Sequence, residues 1–149
     1  MPRVISINIS EKKGTAKKPI ESGFFKENKG IVGDAHSGPG IRQVSLLAKE
    51  SIDRFNKNAK LKKLCAKKGM FGENLTTEGI ELHKLKIGTK LKINNVILEI
   101  SKIGKECYRV CSIGRKLGSC IMPEEGIFAK VLREGEINVG DRIILDSRQ

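Results

Sequence analysis

The chain has 149 residues, the size of one domain, with 38% hydrophobic and 31% charged residues. That is enough apolar material for one core, and no run is long enough to cross a membrane as a helix. The 29 Lys and Arg against 17 Asp and Glu leave a net charge of +12, which favours anionic partners such as nucleic acid, phosphorylated small molecules or acidic protein faces.

Val4 to Ile9 alternates apolar and polar residues and predicts a first strand. The same alternation is unlike the continuous apolar core of a secretory signal, so a cytoplasmic chain is expected. Residues 10–40 are rich in Gly and Pro and predict a loop-rich segment with short strands near Phe24-Phe25 and Ile31-Val32. Gln43 to Leu47 predicts another strand. Ala48, Ile52, Phe55 and Ala59 then recur at helical spacing, which predicts an amphipathic helix over 48–60. Lys57, Lys60, Lys62, Lys63, Lys67 and Lys68 follow without an intervening acid, reading either as a solvated face or as a docking patch for an acidic partner.

The second half reads as strands. Lys86–Ile93 and Asn138–Leu145 share one pattern, a Gly turn followed by alternating apolar positions. Asn94-Asn95 predicts a tight turn into Val96–Ile103, making a hairpin. Ile127–Leu132 predicts one more strand. Residues 108–118 predict a short helix with Val110, Ile113, Gly114 and Leu117 on one side. Many short strands, Gly turns and few helices predict a mainly β fold: one domain over residues 1–149, a closed or nearly closed β-barrel with small helical insertions.

Three segments carry residues capable of chemistry. Cys107 lies between Lys105 and Arg109, cations that stabilise a thiolate, the reactive form of the side chain. A nucleophile, a sulfur carrier and a soft-metal ligand are all open to it, as is a plain buried thiol. Cys111 and Cys120 lie near it in sequence, and the spacing leaves their assistance open. The segment Gly30–Gln43 adds glycines whose amides suit phosphate, with Asp34, His36, Arg42 and Gln43 beside them. Its alternative is a glycine-rich turn in which Asp34 caps local amides. In Gly72-Glu73-Asn74-Leu75, Glu73 and Asn74 read as ordering a loop or as hydrogen-bonding a heterocycle. Readout of nucleic acid is disfavoured: the basic residues are mostly Lys, and with no Trp and one Tyr there is little for bases to stack on.

Taken in order, Gly33-Asp34-Ala35-His36, Arg42-Gln43-Val44, Phe71-Gly72-Glu73-Asn74-Leu75, Ile87-Gly88, Lys105-Glu106-Cys107-Tyr108 and Gly126-Ile127-Phe128-Ala129-Lys130-Val131 resemble the MOSC domain family, the domain at the C-terminus of molybdenum cofactor sulfurases. The match is best to its small stand-alone bacterial members. The resemblance implies a barrel of the pyruvate-kinase-barrel kind and one reactive cysteine at the position of Cys107. In the family that cysteine accepts sulfur from a pyridoxal-phosphate-dependent cysteine desulfurase, or ligates the molybdenum of bound molybdenum cofactor (molybdopterin). By the same resemblance Gly33, Asp34, His36, Arg42, Gln43 and Asn74 line the pterin site, and Lys105 and Arg109 supply positive field. Pyridoxal phosphate would stay on the donor enzyme, and the expected partners are that desulfurase or molybdenum cofactor biosynthesis proteins. Two other readings compete: a small molybdoenzyme that reduces N-hydroxylated compounds, and a non-catalytic basic module for nucleic acid or an acidic partner.

Overall fold

The computed structural model describes residues 1–13, 15–58, 65–104, 113, 117 and 120–146. The strands among these residues are β1 (Arg3–Ile9), β2 (Lys18–Ile20), β3 (Ser22–Lys26), β4 (Gly30–Ile31), β5 (Val44–Ala48), β6 (Leu75–Glu78), β7 (Lys90–Ile93), β8 (Val96–Ile103), β9 (Ile127–Arg133), β10 (Gly135–Asn138) and β11 (Ile143–Asp146). Among the described residues the helices are α1 (Lys49–Lys57), the short α2 (Met122–Glu125) and a 3-10 turn at Leu82–Lys84. None is long and apolar enough to cross a membrane.

Eight strands form one sheet in the order β11-β7-β8-β9-β5-β6-β1-β2, and three form a second in the order β10-β3-β4. The expectation of a mainly β chain is met. The expected closed barrel is not seen as such, because no ladder joins the end strands β11 and β2. Instead the sheet curls until its β11 end meets β1. An isolated antiparallel bridge links Arg3 to Arg142, and Ile143 N–H donates to the Pro2 carbonyl at 2.9 Å. β1 keeps β2 as its regular neighbour on that side, which leaves the seam to a few contacts.

Strand alternation sorts side chains into two cores. From β5, Val44, Leu46 and Ala48 enter the main core, while Leu47 points to the other face. From β9, Ile127, Ala129 and Val131 do the former and Phe128 the latter. The second core is roofed by α1, whose Ile52 and Phe55 are buried as the helical spacing requires. Phe55 meets Phe71 edge to face, with ring centroids 5.0 Å apart. Such a pair is worth about 1 kcal/mol beyond its buried area. Ile113 and Leu117 are buried in the same cluster. The rest of the predicted 108–118 helix, with Val110 and Gly114, lies outside the described residues, as do Ala59 and Lys60.

β5 and β6 run parallel, which requires a crossover, and α1 lies within it. The hairpin at Asn94-Asn95 forms as predicted, with Ile93 opposite Val96 and Asn94 at φ +57°. The two segments read as a Gly turn leading into a strand do so, with the strands beginning at Lys90 and Ile143. In each, a backbone hydrogen bond closes the turn, from Thr89 to Lys86 and from Asp141 to Asn138.

Candidate functional site

A buried ion pair organises the segment that follows β1. Lys17 Nζ donates to Asp34 Oδ1 at 2.7 Å, with both side chains almost wholly enclosed. The same ammonium reaches Ser10 Oγ at 3.0 Å and His36 Nδ1 at 3.2 Å. Asp34 also accepts from the amides of Ser10 (3.0 Å) and His36 (3.1 Å), so one carboxylate ties together the end of β1, the 10–17 loop and the 33–36 turn. Burial pushes the Asp34 carboxyl up, but the Lys17 ammonium and the Ser10 amide, helped by the Asn74 amide, bring it below its ordinary value. The charged pair is therefore the resting state of this cluster. The sequence reading missed Lys17, one more lysine in a basic stretch; only its burial beside an acid 17 positions away sets it apart.

The Glu73–Asn74 turn is equally enclosed. Asn74 Oδ1 accepts from Ser45 N–H at 2.9 Å, and its Nδ2 donates to the Asn8 carbonyl at 3.1 Å, so its side chain links β5 to β1. Glu73 Oε2 accepts from Gly69 N–H and from Thr76 Oγ1, both at 2.9 Å. Among the described residues its Oε1 has no partner. Burial pushes Glu73 up to about 7 against the pull of those two donors. Gly69 joins this turn to the ion pair's segment, since its carbonyl accepts from Lys17 N–H at 2.8 Å. Only glycine fits there: φ is +85°, and a Cβ would stand 2.4 Å from the Lys17 carbonyl oxygen.

Asp34 and His36 are thus brought together around Lys17, with Asn74 beside Asp34. Gln43 is not part of this group. It is buried and bridges other elements, donating to Asn28 Oδ1 and the Gly40 carbonyl and accepting from Val131 N–H at 3.0 Å. The side chains of Asn74 and Gln43 both bridge separate elements of the fold. Gly33, at φ +92°, turns the chain into Asp34.

Within the glycine-rich loop, five successive amides are bonded inside the fold. The amides of Asp34, Ala35, Ser37 and Gly38 donate to the carbonyls of Ile31, Ser10, Asp34 and Lys29, and that of His36 to the Asp34 carboxylate. The reading of Asp34 as a cap for local amides describes this loop. Arg42, beyond these amides, is exposed, with its guanidinium 5.6 Å above the Phe128 ring.

Cys107, Lys105, Arg109 and Cys111 lie outside the described residues. Those that bracket them are placed. Phe128, under Arg42, pairs in the sheet with Lys102, two residues before Gly104. Ser101 Oγ donates to the Ile41 carbonyl. On the other side, a Cβ on Gly72 would meet Ile113 Cδ1 at 3.2 Å, so Ile113 packs over the turn that carries Glu73 and Asn74. Cys120 is half-buried against the second core and Cys65 is exposed. Among the described residues, no three His, Cys, Asp or Glu side chains are placed to hold a metal ion.

This curled mixed sheet, with its polar cluster beside the 33–43 loop, has relatives. A family model for the MOSC domain matches residues 33–144, and the chain belongs to that family, which is associated generally with molybdenum cofactor sulfurase-like functions. Solved structures share the fold. The YuaD protein from Bacillus subtilis superposes with a TM-score of 0.81 at 21% identity, covering 100% of this chain and 98% of that one. YiiM from Geobacillus stearothermophilus gives 0.75 at 18% identity (99% of this chain, 76% of that one). YiiM from Escherichia coli gives 0.67 at 17% identity (99% and 71%). Among curated proteins, none matches the sequence.

Proposed function

We propose that this chain handles molybdenum cofactor, binding the phosphorylated pterin and carrying sulfur on Cys107, with a cysteine desulfurase or a cofactor-assembly protein as its partner in the cytoplasm. The supporting observation is the position of both flanks of the Cys107 segment. Lys102 and Gly104 lie on the side where Arg42 covers Phe128, and Ile113 lies over the Gly72 turn beside the Lys17–Asp34–His36 cluster. The family's association with molybdenum cofactor biology points the same way.

The donor set suits an anionic, hydrogen-bonding ligand. Arg42 offers an exposed guanidinium, His36 a partly exposed imidazole, and the internally bonded 34–38 amides fix the loop that presents them. Asp34 neutralises Lys17, so the buried cation holds the loop and the exposed cations meet the ligand. Lys105 and Arg109 flank the thiol in sequence and would keep it ionised. When bound, the cofactor supplies a molybdenum ion for which a soft thiolate is a matched ligand. In sulfur transfer, the Cys107 thiolate attacks the outer sulfur of the donor's cysteine persulfide. A new S–S bond forms on Cys107, the donor's S–S bond breaks, and the donor cysteine leaves as a thiolate.

Incubation with a pyridoxal-phosphate-dependent cysteine desulfurase and free cysteine, followed by peptide mass spectrometry, tests this. One added sulfur atom is expected on the Cys107 peptide. It should be lost in Cys107→Ser and retained in Cys111→Ser and Cys120→Ser, and pterin binding, followed by fluorescence, should weaken in Arg42→Ala. Full sulfur loading and pterin binding in Cys107→Ser would overturn the assignment.

A further inference from the structure

The lysine block after α1 has no part in the function proposed above, yet its described members Lys67 and Lys68 line a groove of about 1220 Å³. α1, β1, β2 and the 66–70 turn all contribute to the lining. Ile20, Ile52, Met70 and Val139 give it apolar surface, and Val139 is 45% exposed. Lys18, Lys67 and Lys68 are exposed along it, and none forms a salt bridge among the described residues. Of the two acids in the lining, Asp53 is paired with Lys49, and Glu21 remains. A second cavity of about 260 Å³ shares Ile5, Lys49, Lys68 and Val139 with the groove and prolongs it toward Arg3.

Size, shape and chemistry narrow the occupant. Pockets for small ligands run to roughly 1,000 Å³ and enclose most of the molecule, whereas this groove is larger, open and extended. Among the described residues, no aromatic or arginine side chain lines the larger groove, so they offer it neither stacking surface nor forked donors for nucleic acid. Apolar surface bordered by unpaired ammonium groups matches a polypeptide with one apolar face and one acidic face. We propose that the groove receives an acidic amphipathic segment of a partner protein. Its apolar side chains would lie on Ile20, Ile52, Met70 and Val139, with its carboxylates toward Lys18, Lys67 and Lys68. The proposal goes beyond the cofactor reading and does not depend on Cys107.

The probe is a fluorescein-labelled peptide with Leu at helical i, i+3, i+4 spacing and Glu elsewhere, read by anisotropy with the full chain. Its comparators are a scrambled peptide of the same composition and a single-stranded oligodeoxynucleotide. The ordered peptide should bind more tightly than both. Reversing Lys18, Lys67 and Lys68 to Glu together should weaken it by about tenfold or more, at a few tenths to 1 kcal/mol for each exposed charge. Val139→Asp should weaken it as well, by removing apolar contact. Lys92→Glu, an exposed charge change outside the groove lining, should leave it unchanged, and so should Cys107→Ser. No binding, equal binding of the scrambled peptide, or an equal loss in Lys92→Glu would overturn the proposal. Tighter binding of the oligonucleotide would overturn it in favour of a nucleic-acid surface. Sulfur loading is measured separately, so failure here leaves the Cys107 test untouched.

Discussion

Two carboxyl groups enclosed in the same molecule respond to burial in opposite ways. Asp34 has an ammonium at 2.7 Å and stays ionised, whereas Glu73 has only neutral donors among the described residues, with Oε1 unpartnered there, and an affinity for protons raised to about 7. Folded Glu73 therefore binds more protons than the unfolded chain between its ordinary value of 4.5 and about 7, so stability falls as pH rises through that window. The loss is at most roughly 3 kcal/mol, from a shift of that size at 1.36 kcal/mol per pH unit. Asp34 works the other way. Its lowered value contributes stability above the ordinary carboxylate value of 3.8, and that contribution is lost as pH falls through the folded one. Urea midpoints measured against pH should peak in the mildly acidic range. Glu73→Gln should flatten the decline between pH 4.5 and 7 while keeping the acid-side loss.

At the level of elements, what was legible followed period and spacing. β1, β5, the β7–β8 hairpin and β9 announce themselves because each carries several apolar residues at period two, and α1 because Ile52 and Phe55 share a face, whereas Ala48, read with them, closes β5 and enters the main core. β6 does not: of its four residues only Leu75 is apolar, and Thr76, bonded to Glu73, and Thr77 are buried by tertiary packing that no hydropathy pattern encodes. Lys17 was illegible for the same reason, since its partner is set by tertiary structure. The 33–43 loop was recognised as special, but the use of its amides depends on Ser10 and Lys29, which only folding brings near. Gly104, where β8 ends, is a position at which one element controls another. Its φ is +76°, and a Cβ there would stand 2.4 Å from the Pro123 carbonyl oxygen of α2. Gly104→Ala should cost about 2 kcal/mol or more, seen as a lower thermal midpoint. Under the proposed function it should also slow sulfur loading, because the same residue precedes the Cys107 segment in sequence.

For the molecule as a whole, the seam of the large sheet is its least secured line. Val4 and Gly140 exchange with their neighbours across it: Val4 N–H donates to the Asp141 carbonyl at 2.9 Å, and Gly140 N–H to the Val4 carbonyl at 2.7 Å. Ile137 and Ile143, on either side of that turn, are buried in the main core. A chain cut after Val139 would lose the seam and β11 together and uncover Leu91 and Ile93 on β7, so it should show no cooperative unfolding transition by circular dichroism.

The pairing of residues 2–4 with residues 140–143 also dictates when the protein is able to fold. Contacts so distant along the chain close slowly, since the loop between them must be ordered first. During synthesis the opening strand would leave the ribosome long before its seam partner and wait with Val4 and Ile7 uncovered.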